Sequence, residues 1–385
     1  MRASNEVDGI YVHLPFCDGK CAYCAFYSVA GRADDIDAYL GALDTELTLR
    51  SRALPKLTPR TLYIGGGTPT LLSGAQLGGL CALLARRLDL RRVEEWTVEA
   101  NPGTLDDGRL AVLKAAGVNR ISLGVQSLDD DVLARLGRRH TAAQAREACE
   151  RLRHAGFQNW SLDLIACVPG VTPRRWGATL RAALALGPPH LSVYALTSEE
   201  GSRLAGQVRT GAVRLLDDDA QLRQLHAAER VLRAGGMARY EISNYARPGF
   251  ACRHNVACWE GKGYLGVGCA AASYVNHMRW TNAADLDAYL AALGAGRLPP
   301  RETEALTPRT EALERMVFGL RQAAGVTPAL ILAETGLAGS PLDAHWAATL
   351  GRLGTDGLVR RVGTRWQLTA RGRDLADHVA VELMP

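Results

Sequence analysis

From residue 9 to about residue 236, short β-rich runs alternate with stretches whose apolar residues recur at helical spacing. The strand-like runs are 10–13, 62–64, 96–99, 120–123, 161–165 and 191–195. Between them, Ile36, Tyr39, Leu40, Leu43 and Leu47 fall on one helical face, as do Leu77, Leu80, Leu84 and Leu88. Ser73 with Gln76, and Thr141 with Gln144, have the spacing of capping boxes. Thr172 before Pro173 reads as an N-cap followed by proline at the first helical position. Gly117, Gly137, Gly156, Gly187 and Gly235 each follow a helical run, where a left-handed residue closes a helix. Six strand–helix units in series predict an α/β fold with parallel strands, which we read as a partial (β/α)6 barrel. A flat, doubly wound sheet gives the same alternation.

The rhythm changes after Gly236. Residues 240–245, 264–267 and 273–275 are short strand candidates separated by Gly, Pro and Asn; a helix over 285–293 and a polar stretch over 294–301 follow. Helices are predicted over 310–322, 328–335 and 342–353. A hairpin joins 358–362 to 366–368, and Thr369 opens a last helix. This is the outline of a helical, winged-helix-like C-terminal domain. The chain therefore divides into a barrel over 1–236, a connecting segment over 237–300 and a C-terminal domain over 301–385.

Length and composition narrow the function classes. A chain of 385 residues with 47% apolar and 22% charged residues has the balance of a globular protein. Its formal charge, 45 − 40 = +5, is weak for a nucleic-acid or membrane-surface protein, so no nucleic-acid partner is expected. No apolar run reaches the roughly 18 residues of a membrane span. The polar start, Met1 to Asp8, lacks a signal core, so a cytoplasmic location is expected. Nine cysteines, an odd number, fit reduced thiols rather than a disulfide framework.

Three of those thiols crowd together as Cys17-Asp-Gly-Lys-Cys21-Ala-Tyr-Cys24, directly after the first predicted strand. A loop of this spacing can wrap its sulfurs around one inorganic centre at a strand's C-terminal end, where α/β barrels keep their active sites. A closed zinc site needs four ligands, with His13 the available fourth. Three thiolates on a four-iron cluster instead leave one iron open to a chelating ligand. Incidental buried thiols are the third reading.

The pattern resembles the signature of the radical S-adenosylmethionine (SAM) superfamily. Gly65-Gly-Gly-Thr-Pro-Thr70 after the second strand is similar to that family's glycine-rich turn. Glu99-Ala-Asn-Pro-Gly, Gly124-Val-Gln126-Ser and Asp163-Leu-Ile put polar side chains at or near the ends of the next three strands. Over nearly the whole chain the sequence resembles the oxygen-independent coproporphyrinogen III oxidase-like group, and within it the HemW haem chaperones. Leu136-Gly-Arg138-Arg-His and 240–248, Tyr-Glu-Ile-Ser-Asn-Tyr-Ala-Arg-Pro, are among the stretches that carry the likeness. The resemblance implies that Cys17, Cys21 and Cys24 hold a [4Fe–4S] cluster with Tyr23 against it. It implies further that Tyr11, Gly66, Gly67, Thr68 and Glu99 contact SAM, and that Gln126, Arg138 and Asp163 line the same cavity. Haem is the implied third cofactor, passed to recipient haemoproteins, respiratory ones among them, with membrane contact only through such a partner.

Within that group, the oxidases resemble Cys-x3-Cys-x2-Cys-x-Cys, whereas Phe26 stands at the last of those positions here, and the lead before Tyr11 is short. The implied function is a haem chaperone without oxidase activity, with oxidative decarboxylation of coproporphyrinogen III as the alternative. A nucleic-acid-binding iron–sulfur regulator is a third reading, which the low charge disfavours. Cys252-Arg-His254-Asn255-Val-Ala-Cys258-Trp259 resembles a chaperone motif, His-Asn-x-x-Tyr-Trp, with Cys258 where tyrosine is expected; Ala272 stands where a second family turn ends in histidine. Haem iron takes His or Cys ligands. His254 is thus a candidate axial ligand, with Cys252, Cys258 and Cys269 also admissible. The C-terminal domain reads as a substrate lid or partner-docking unit.

Overall fold

The computed structural model describes residues 7–54 and 57–385; most of the polar start lies outside the described residues. The six predicted strands form as β1 (Gly9–Leu14), β2 (Thr61–Gly66), β3 (Glu95–Ala100), β4 (Arg120–Gln126), β5 (Asn159–Ala166) and β6 (His190–Ala195). They hydrogen-bond in sequential order, each parallel to the next. A doubly wound sheet would reverse direction at its first strand. Unbroken order with right-handed crossovers instead puts the helices on one face, the arrangement of a partial barrel.

Alternation along the strands explains the curl. Ile10, Val12, Leu62, Ile64, Val98, Ile121, Leu123, Leu162 and Leu191 are buried in one apolar core with the helices. The intervening positions carry Tyr11, Tyr63, Glu99, Ser122 and Asp163, a polar face that pairs with itself across the concave side. Both predicted capping boxes form, at Ser73 and Thr141. Gly117, Gly137, Gly156 and Gly187 are left-handed, but Gly235 is not; the helix Asp218–Ala234 reaches its left-handed residue one position later, at Gly236.

The segment read as a connection contributes strands to both edges of this sheet. On one side, β7 (Ala238–Arg239) and β8 (Asn244–Ala246) pair antiparallel, and β8 continues antiparallel onto β6. The single strand expected over 240–245 is broken because the Arg239 guanidinium donates to the Ile242 carbonyl and folds the chain into a turn. On the other side, β9 (Tyr264–Val267) runs parallel to β1. It is followed by antiparallel β10 (Ala272–Val275), β11 (Met278–Asn282) and β12 (Arg301–Ala305). The last two were not anticipated; every residue of β12 is exposed, so no apolar alternation announces it.

Residues 308–383 build a separate core around Met316, Leu332, Trp346, Leu350 and Leu353, with the hairpin Val359–Val362 and Arg365–Leu368 as its wing. This unit is tied to the barrel by Ala323 N–H to the Tyr240 carbonyl, by His226 to Asp374 and by Arg373 to Glu229. No helix among the described residues is long and apolar enough to cross a membrane.

Candidate functional site

The cysteine loop leaves β1 at Leu14 and is held from several sides. Residues 16–17 pair with residues 29–30, Ala22 N–H reaches the Leu136 carbonyl and Leu204 N–H reaches the Ala22 carbonyl. The glycine turn after β2 packs directly against it, with Gly67 N–H on the Leu14 carbonyl and Thr68 N–H on the Phe16 carbonyl. A side chain at Gly67 would bring its Cβ to 2.5 Å from the Phe16 carbonyl oxygen, so only glycine permits this approach. Gly66 adopts φ of +110°, and a Cβ there would meet the His13 ring at 2.7 Å.

Five side chains from four segments close a hydrogen-bonded path between two of the thiols. Cys17 Sγ lies 3.3 Å from Thr68 Oγ1, which accepts from Asn101 Nδ2 at 2.7 Å. Asn101 Oδ1 accepts from Arg138 Nη2, and Arg138 Nη1 donates to Cys21 Sγ at 3.4 Å. Arg138 also donates to the Gly124 carbonyl at 2.7 Å, while its Nε is buried without a partner. Asn101 is a member of this path that sequence reasoning quoted only as part of a strand end. Tyr23 sits between the second and third cysteines beside Arg138, packed on the small apolar cluster of Val132, Leu136 and Ile165. Burial lifts the Cys17 and Cys24 thiols above their usual range.

Beneath this path lies the polar inner face. Glu99 accepts from Tyr63 OH at 2.8 Å and from Gly66 N–H at 3.1 Å, and burial pushes its carboxyl up to about 7. Asp163 is likewise raised by burial and accepts from Ser122 at 3.2 Å. Tyr11 OH bonds His13 Nδ1 at 3.0 Å, and burial, reinforced by Glu99, raises its phenol. His13 has its other ring nitrogen 3.0 Å from the Tyr27 carbonyl, so both nitrogens are engaged within the fold. Gln126 ends β4 at φ of +65°, where the register between β4 and β5 shifts. A non-glycine residue in the left-handed region is uncommon and concentrates at functional sites.

His254 is not brought to this group. It lies at the N-terminal ends of the strands, its Nδ1 2.9 Å from Thr61 Oγ1 and its ring 5.2 Å from that of Tyr63. Thr61 pairs with Gly9, five positions before Leu14 and hence roughly 16 Å from the cysteine end. The helix Arg253–Trp259 that carries His254 is seated by Glu95, a buried carboxylate that accepts from the N–H groups of Arg253 and His254, each at 3.1 Å. Burial lowers the His254 ring to about 4, so it is neutral at physiological pH. Glu95 and Tyr63 escaped sequence reasoning; the available signal was a polar residue at alternate positions inside strands flanked by apolar ones.

Comparison with known proteins agrees with this geometry. A family model described as the radical SAM superfamily matches residues 11–183, and one described as the HemN C-terminal domain matches residues 306–375. The heme chaperone HemW of Bacillus subtilis is 34% identical over 372 residues, 96% of this chain and 97% of the relative. That of Mycobacterium tuberculosis (strain H37Rv) is 36% identical over 379 residues, 98% of this chain and 94% of the relative. Among solved structures, the coproporphyrinogen III oxidase HemN of Escherichia coli, a radical SAM enzyme, superposes with a TM-score of 0.85. It is 26% identical, with 99% of this chain and 91% of that chain covered.

Proposed function

The chain belongs to the radical SAM superfamily and within it to the HemW family, and from that premise we propose that it is a haem chaperone. In this reading it carries a [4Fe–4S] cluster on Cys17, Cys21 and Cys24, binds SAM beside it, and hands haem to apoproteins, respiratory haemoproteins among them. The observation that carries the cluster site is the path Cys17–Thr68–Asn101–Arg138–Cys21, which binds the cysteine loop to the ends of β2 and β3 and, through Arg138, to the Gly124 carbonyl in β4.

The residues present fit both groups. Three half-buried thiols on a loop pinned at both ends supply a soft donor set. His13 has both ring nitrogens engaged, which counts against it as a fourth zinc ligand. Arg138 Nε is a buried donor with nothing to accept from it, suited to a carboxylate such as that of SAM. Glu99 and Asp163, both raised by burial, gain by ionising beside a cation and can accept from an ammonium or from ribose hydroxyls. Gly66 and Gly67 keep the turn close enough for backbone contact, and Tyr11 closes the inner side. Tyr23 covers the loop between two ligands and shields it from water. When bound, the cluster supplies one-electron reduction at the sulfonium of SAM.

Phe26, 70% exposed, occupies the place of the oxidases' fourth cysteine, which favours the chaperone over the oxidase reading. The test is anaerobic reconstitution with iron and sulfide, followed by titration with SAM and then with haem. Four irons per chain, SAM-dependent spectral change and saturable haem binding are expected. Zinc in place of iron would overturn the cluster assignment. Conversion of coproporphyrinogen III to protoporphyrinogen IX would overturn the chaperone assignment.

A further inference from the structure

We propose that Arg120 is a positioning residue for SAM, acting from the N-terminal end of the barrel strands through Ser161 and Ser122 on the carboxylate of Asp163. The proposal rests on the SAM-binding part of the function proposed above and adds to it a residue three hydrogen bonds away from the ligand-facing carboxylate. Arg120 opens β4 and is only 2% exposed. Its Nη2 donates to Ser161 Oγ at 3.1 Å, Ser161 Oγ lies 2.9 Å from Ser122 Oγ, and Ser122 Oγ donates to Asp163 Oδ2 at 3.2 Å. Ser161 and Ser122 are buried, whereas Asp163 is half-buried. A closed polar path thus runs up the inner face and ends on an accessible carboxylate.

The direction of the path follows from its first member. A guanidinium only donates, so Ser161 Oγ accepts from Arg120 and turns its own hydrogen to Ser122. Ser122 in turn spends its hydrogen on Asp163. Both hydroxyl dipoles therefore point at the carboxylate, and hydrogen bonds polarised in series by a cation strengthen one another. Hydrogen bonds donated to a carboxylate favour its ionised form, the form that accepts from an ammonium or from ribose hydroxyls.

Filling the end of the barrel does not account for an arginine. A buried cation is costly unless it is paired, yet Arg120 makes no ion pair among the described residues and its Nε has no partner. The carboxylate at the same level, Glu95, is spent on the N–H groups of Arg253 and His254 and on the Cys252 thiol, and acts on Arg120 only through space. Towards the other end, the Arg120 charge works against burial at both Asp163 and Glu99. Asp163 is also faced by Tyr63 from β2, Glu99 from β3, Tyr194 from β6 and Arg138. Of these only Arg138 is a cation, and it already donates to Asn101, the Gly124 carbonyl and Cys21. Arg120 alone joins a positive charge to Asp163 through a chain of hydrogen bonds among the described residues.

The test is anaerobic calorimetric titration of the full, cluster-loaded chain with SAM from pH 6 to 8.5, comparing the wild type with Arg120→Met and Ser161→Ala. Without the guanidinium, burial holds the proton on Asp163 to higher pH, so the defect is largest at low pH and closes as pH rises. Arg120→Met is expected to bind SAM about 10-fold more weakly than the wild type at pH 7, with the gap narrowing towards pH 8.5. Ser161→Ala cuts the path but leaves the charge, and should show a smaller defect of the same kind, about 3-fold at pH 7. A defect of equal size at every pH is what a merely structural role produces, and it overturns the proposal, as does wild-type affinity in Arg120→Met. Should Arg120→Met fail to fold, Ser161→Ala decides alone: wild-type affinity at pH 7 overturns the proposal. A wild-type chain that holds its cluster but binds no SAM at any pH overturns the SAM reading instead, and this proposal with it.

Discussion

Replacement of Glu99 by glutamine tests whether the inner face is built for a positively charged guest. The carboxyl is pushed up to about 7 from 4.5, chiefly by burial, although Tyr63 OH and Gly66 N–H both donate to it. Between those two pH values the folded protein holds a proton that the unfolded chain has released. Stability therefore falls as pH rises through this window, and the full cost is present above pH 7. The difference in pKa corresponds to about 3 kcal/mol. Glutamine removes that cost but offers one acceptor oxygen to two donors, a loss of about 1 kcal/mol at every pH. Urea unfolding of the cluster-free, reduced chain should therefore find Glu99→Gln more stable than the wild type by about 2 kcal/mol at pH 8 and near parity at pH 5. The same variant should bind SAM more weakly, because it cannot ionise beside the ammonium. A stability difference identical at the two pH values would refute the reasoning, since it would mean that Glu99 is charged throughout and already compensated.

Other expectations follow from single contacts. Gly66→Ala forces a Cβ to 2.7 Å from the His13 ring at a φ of +110°, so a loss of roughly 1–3 kcal/mol or more is expected in a thermal melt, together with loss of SAM binding. Arg138→Met strips the donor from Asn101 Oδ1 and from the Gly124 carbonyl. Each orphaned acceptor costs roughly 1–3 kcal/mol, measurable by urea unfolding, and SAM affinity measured by calorimetry should fall in parallel. Glu95→Ala removes the acceptor for two N–H groups at the start of the helix Arg253–Trp259. About 1–2 kcal/mol should be lost, with hydrogen-exchange protection lost first in residues 253–259.

The local vocabulary of the barrel was legible along the chain. Each parallel strand is announced by its own apolar run, and the capping boxes at Ser73 and Thr141 need only residues three positions apart. The cysteine triplet and the glycine turn are equally local, and both follow strands that hydrophobicity alone identifies. What could not be read was which segments meet. Asn101 joins Thr68 to Arg138 across separations of 33 and 37 residues, and no periodicity encodes such a pairing. Strand β12, exposed at all five positions, is a strand only because β11 offers it an edge.

The sequence by itself determined the six barrel strands, their order and the chemistry of the donor set, because propensity, capping and short-range spacing act within a few residues. Tertiary structure alone decided which polar positions of neighbouring strands pair, that β9 lies beside β1, and that His254 sits at the end of the strands away from the cysteines. It also decided that Cys258, rather than Cys252 or Cys269, borders open space. Burial and distance arise from packing between segments far apart in the chain, and those two quantities decide whether a histidine or a thiol holds the fold together or remains available to a ligand.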